Sequence, residues 1–227
     1  MYRVLMWWVL CCPLLALADD AELMRLHAMA YKVTADASLI SLRQGDAMSR
    51  QRLAQTLQAT QTQVDALASQ WPQLGEQWQL SREFIEANIE LAAANGDVRY
   101  PVNLDERQQA LYQAIEQARE QNQGANERAV LRALIALEQT VAGYLYFNIN
   151  VFGGLSATDN IIETATQSFR QALPGLPEPL RQRVERKWSF IEGAVLDYNQ
   201  NSAVFIVRRT TDSIRDMLSE ALVAQEN

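Results

Sequence analysis

The chain has one histidine and two cysteines, and these few residues limit the chemistry it can perform. His27 sits among Met24, Leu26, Met29 and Ala30 with no cysteine nearby, so neither a zinc site nor a two-histidine, one-carboxylate iron site can be assembled. A di-iron bundle site needs two Glu-x-x-His pairs and is excluded on the same count. A serine triad would have to recruit His27, yet there is no G-x-S-x-G elbow. The glycines form neither G-x-G-x-x-G nor a P-loop, so no nucleotide cradle is expected. Paired acids at helical spacing, Glu83 with Glu86 and Glu116 with Glu120, lie among Gln and Arg as solvated faces do. No enzymatic activity, metal or cofactor is expected.

Two segments carry binding chemistry instead. Tyr144, Tyr146, Asn148 and Asn150 crowd aromatic rings and amides near the end of an apolar helical run, the kind of surface that lines small-ligand pockets. The plainer reading is that Leu145, Phe147 and Phe152 are core, that Tyr144 and Tyr146 bridge core to water, and that Asn148 and Asn150 begin the turn. Asn199 and Asn201 then interrupt a helical pattern just before Arg208 and Arg209. An arginine pair can grip an anion through its planar donors, or bridge to Asp212 and Asp216 on its own helix. Arg181, Arg183, Arg186 and Lys187 cluster with Glu178 and Glu185, which predicts a mixed solvated face.

The helices that must carry these residues show in the apolar spacing. Leu53, Leu57, Thr60, Val64, Leu67 and Trp71 recur every three or four positions, as do Leu180, Val184, Trp188, Ile191, Val195 and Tyr198. Breaks fall at Gly45-Asp46, Trp71-Pro72, Asn95 to Pro101, Asn122 to Gly124, Gly153-Gly154 and Pro174 to Pro179. Asn103, Ser156 and Ser202 stand where N-caps would. The expected fold is all-α, an elongated bundle of about eight helices. Phe84-Ile85-Glu86 returns 106 residues later as Phe190-Ile191-Glu192, with Leu74 over Leu180 and Trp78 over Val184. A duplication would give two tandem four-helix halves, 19–124 and 125–227. Against it stands the ease with which any two amphipathic stripes align.

Residues 1–18 read as a signal peptide: Arg3, an apolar run from Val4 to Leu15, and a small-x-small end at Ala16-Leu17-Ala18. Cleavage is expected before Asp19. It would remove Cys11 and Cys12, and the run is short for a spanning helix. The remaining 209 residues carry 19 Lys+Arg against 27 Asp+Glu, a side-chain charge of −8. That field disfavours nucleic acid. A thiol-free exported chain must hold together by packing alone, which suits the bacterial periplasm, with release from the cell as the other outcome. Stable membrane insertion after cleavage is not expected.

The pattern Val184, Trp188, Ile191, Val195, a polar break and a long final helix to Leu222 resembles the periplasmic helical sensing modules of the type IV pili chemotaxis-receptor N-terminal family and of nitrate/nitrite sensor kinases. The resemblance covers about the last 50 residues. It implies an all-α exported module that binds a small ligand or an envelope protein partner. This sequence departs from those receptors in lacking their flanking membrane helices and a copy of their arginine-centred anion box, so no ligand residue carries over. A sensor-like or adaptor protein is the leading expectation; a structural or chaperone-like protein offering an amphipathic groove to another chain is the alternative.

Overall fold

A computed structural model describes residues 20–122, 128–150, 160–198 and 203–226. They form eight α-helices: α1 (Asp20–Leu42), α2 (Ala47–Leu67), α3 (Pro72–Ala93), α4 (Tyr100–Gln121), α5 (Ala129–Ile149), α6 (Ile161–Ala172), α7 (Glu178–Leu196) and α8 (Val204–Glu226). One 3₁₀ turn spans Leu173–Gly175, and no strand occurs among the described residues. The all-α expectation holds. No helix among the described residues is long and apolar enough to cross a membrane.

The breaks foreseen within the described residues fall between helices. Gly45 takes φ +64°, and a Cβ there would come within 2.7 Å of Ala93 Cβ, so the α1–α2 turn requires glycine. Asp46 then caps α2 by accepting the Ser49 amide at 2.7 Å. Pro72 and Pro179 stand in the first turns of α3 and α7, where a missing N–H costs nothing. Asn103 is not a cap. The α4 helix begins at Tyr100, with Pro101 in its first turn, because the proline's fixed φ already suits a helix start. Ser156, Ser202 and Gly153-Gly154 lie outside the described residues.

The core is built on two helices. Eighteen of the 23 residues of α1 are buried, and α5 buries residues around most of its circumference, from Val130 to Tyr146. A helix enclosed on nearly all sides must be apolar nearly all round, which is why the α1 sequence shows no single stripe. The pairing of α1 with α5 is the most extensive in the molecule. Their C-terminal ends share the lining of one small pocket, so they run in the same direction. Helices α2, α3 and α4 pack on α1, while α6 and α8 pack on α5, with α7 against both α6 and α8.

The stripes read from sequence are the buried faces. Leu53, Leu57, Val64 and Leu67 are buried on α2, and Leu180, Val184, Trp188, Ile191 and Val195 on α7. Trp71 and Tyr198, at the stripe ends, are half-buried. Three polar contacts fasten α4 to α1. Arg119 Nε donates to Asp20 Oδ1 at 3.1 Å, and the Thr34 and Tyr112 hydroxyls lie 2.5 Å apart. His27 Nδ1 lies 2.8 Å from Glu116 Oε1. Thus His27 is buried, stacked on Tyr31, and its polar contact is to one carboxylate.

Candidate functional site

Helix α2 runs antiparallel to α1, since Asp36 meets Arg52 while Lys32 meets Thr56. Helix α8 runs antiparallel to α5, since Tyr144 meets Ala203 while Glu138 meets Arg215. The two outer helices therefore lie side by side over the α1–α5 floor, and a cleft of about 1100 Å³ opens between them. Its lining runs from Met48 to Gln63 on α2 and from Phe205 to Val223 on α8. At about 1.5 Å per residue these walls are roughly 22 and 27 Å long.

A cluster of ionised side chains crosses the waist of this cleft. Asp36, beneath the floor and 1% exposed, accepts from Lys32 Nζ at 3.0 Å, Arg52 Nε at 2.9 Å, Thr56 Oγ1 at 2.8 Å and Arg208 Nη2 at 3.0 Å. Asp212 on α8 accepts two bonds from Arg52, at 3.0 and 2.8 Å, and one from Arg215 Nη1. Arg215 also grips buried Glu138 through Nε and Nη2. Helices α1, α2, α5 and α8 are thereby joined through charge as well as through apolar packing.

Burial alone would raise the Asp36 pKa, but Lys32, Arg52 and Arg208 more than offset it and hold the group below the ordinary carboxylate range. Asp212 behaves alike: desolvation pushes up, while Arg52, Arg215 and Arg208 pull harder and keep it well below its usual value. Desolvation lowers the Arg208 pKa despite its acidic neighbours. Asp36 and Asp212 therefore remain charged at neutral pH.

The charges at the waist do not cancel. Lys32, Arg52, Arg208 and Arg215 face Asp36, Glu138 and Asp212, four cations against three carboxylates. Arg208 has a side chain only 9% exposed, and its Nη1 is buried with no hydrogen-bond acceptor among the described residues. Arg25, Arg43, Arg209 and Asp216 add further charge along the lining. A chain of net charge −7 thus presents an electropositive cleft.

Both predicted arginines line this cleft. Arg208 forms the foreseen contact to Asp212, Nε to Oδ2 at 3.6 Å, and also the longer-range bond to Asp36. The Tyr144 hydroxyl accepts the Ala203 amide at 2.8 Å, which ties α5 to the start of α8. Tyr146 is buried and accepts from Asn150 Nδ2 at 2.7 Å. Asn148 donates to the Tyr144 carbonyl at 2.8 Å and borders the smaller pocket of about 310 Å³. Tyr144, Tyr146 and Asn150 line neither cavity. Asn199 and Asn201 lie outside the described residues.

Sequence reasoning passed over Lys32, Asp36, Arg52, Glu138 and Arg215. The available signal was a lone carboxylate inside an apolar run: Asp36 within Ala28 to Ile40, and Glu138 within Leu131 to Val141. Such a residue is rarely buried without a partner. Among the described residues no three His, Cys, Asp or Glu side chains are grouped to hold a metal. No protein-family model, no curated protein and no solved structure matches this chain.

Proposed function

We propose that the protein is an exported, sensor-like or adaptor protein that binds a small ligand in the α2–α8 cleft without transforming it. The observation that carries this reading is the cleft itself: about 1100 Å³, lined by Arg25, Arg43, Arg52, Arg208, Arg209 and Arg215 in a chain of net charge −7. The leader-like residues 1–18 and the likeness of the last two helices to periplasmic sensing modules support an envelope location.

The test is a thermal-shift and native mass-spectrometry screen of the purified protein against the small-molecule fraction of a periplasmic extract. A retained ligand that raises Tm by mass action, with slowed hydrogen exchange in α2 and α8, supports the reading. No shift and no retained mass overturns it. A second reading, a groove for a helix of another chain, draws on exposed Met48, Phe205 and Val223, 74%, 67% and 59% exposed, at the cleft ends.

A further inference from the structure

Resting on the small-ligand reading of the cleft, we infer that its ligand is a small multivalent oxyanion, a polycarboxylate or a phosphorylated compound, held at the Phe205 end by Arg43 and Arg209. The lining carries seven Arg and Lys side chains against Glu138, Asp212 and Asp216, with Asp36 beneath the floor. This excess is not spread evenly. Lys32, Arg52, Arg208 and Arg215 are engaged with Asp36, Glu138 and Asp212, and the Arg52–Asp212 bridge closes the waist to a ligand. Toward Val223 the lining adds one charge of each sign, Arg25 and Asp216. Toward Phe205 it adds Arg43 and Arg209 and no acid.

Helix direction brings these two arginines to the same end. Arg43 follows the last turn of α1 and Arg209 lies near the start of α8, at the end of the cleft that Met48 borders on α2. Both are exposed. Arg209 has no ion pair among the described residues. Arg43 has one, to Asp46 at 3.4 Å between exposed side chains, and Asp46 spends its other oxygen on the Ser49 amide. An exposed guanidinium gains little from a single anionic charge, because water competes for both partners and salt screens them. A ligand that reaches Arg43 and Arg209 together makes its second contact within the same complex, and the uncancelled charge at the waist adds to the attraction. Arginine's planar fork matches carboxylate and phosphate oxygens alike, so what the site selects is two or more oxyanion charges on one small molecule.

Titration calorimetry of the purified protein at low ionic strength tests this, with citrate and pyrophosphate as multivalent probes and acetate and methanesulfonate as monovalent ones. At least one multivalent probe should bind one to one and at least tenfold tighter than both monovalent anions; binding of one probe alone tells a carboxylate ligand from a phosphorylated one. The double variant Arg43→Gln/Arg209→Gln should weaken it at least tenfold. Neither arginine holds a buried partner, so the Tm of the free variant should match that of the parent. Arg183→Gln/Arg186→Gln removes the same charge from the exposed face of α7, outside the cleft, and should change the affinity less than twofold. Equal affinity for acetate, an inert Arg43 and Arg209 pair, or an equal loss from the α7 pair overturns the inference. If no probe binds while the periplasmic fraction still shifts Tm, this inference falls and the cleft reading stands. If neither acts, both fall.

Discussion

Arg52 of α2 reaches across the cleft to hold Asp212 of α8 with two parallel N–H···O bonds of 3.0 and 2.8 Å, while its Nε holds Asp36 of α1. One guanidinium thus latches both walls to the floor. Helices α2 and α8 share little other contact, since they are absent from the pairs that pack closely. Replacing Arg52 by Gln should speed hydrogen exchange in the first turns of α8 more than in α4 and cost about 1–3 kcal/mol of stability. Uniform exchange across all helices would refute the latch.

Asp36 is the anion on which three cations converge. Asp36→Asn should leave those cations uncompensated in a partly buried site and lower stability by about 3–5 kcal/mol. Urea unfolding measures it, and a loss below about 1 kcal/mol would show that the cations find solvent instead.

The Glu138–Arg215 pair admits a sharper experiment. Arg215→Met strands buried Glu138 and should cost about 3–5 kcal/mol, whereas Glu138→Leu leaves Arg215 with Asp212 and should cost less. The double variant strands neither of these two, and Asp212 keeps Arg52 and Arg208. It should therefore be more stable than Arg215→Met alone, which requires a coupling larger than the cost of Glu138→Leu in the double-mutant cycle. Strict additivity would contradict the pairing.

Acid should weaken the fold through the same carboxylates. Glu116, beside His27 and Arg119, is held at about 2 in the folded protein against about 4.3 in an unfolded chain. A group with a depressed folded value contributes stability above its unfolded pKa and loses it as pH falls toward the folded one. Urea midpoints should thus decline from about pH 4 toward pH 2, with Asp36 and Asp212, also depressed, adding to the fall. Glu116→Gln should flatten the curve between pH 4 and 2, although its half-exposed carboxylate makes the change modest.

Tyr112→Phe removes a hydroxyl that is fully buried against Thr34. Thr34 retains the Ala30 carbonyl as acceptor at 3.3 Å, so the cost should be about 0.5–1.5 kcal/mol by urea unfolding. A larger loss would mean that the hydroxyl pair anchors α4 alone.

The fold class was legible because Leu53, Leu57 and Val64, like Val184, Ile191 and Val195, recur at helical spacing and end up buried. Turn chemistry placed the boundaries at Gly45-Asp46 and at Pro72 for the same reason: one backbone conformation needs one residue type. The cleft was legible only in Arg208 and Arg209. Its other members come from helices 16 to 172 residues apart, as Arg52 and Arg208 are from Asp36, and helical periodicity carries no information on which helix lies beside which. An arginine such as Arg52, flanked by Gln51 and Leu53, reads as solvated surface until α8 is laid beside it.

The enclosure of α1 constrains how the molecule can assemble. Its flanks are shielded by α2 to α4 on one side and by α5 on the other, so no contiguous stretch of chain up to residue 122 can hide it. A nascent or truncated product ending before α5 exposes a sticky apolar rod and should self-associate, whereas the intact polypeptide should unfold in one cooperative step. The longest wait for partners thus falls on the first of the described helices.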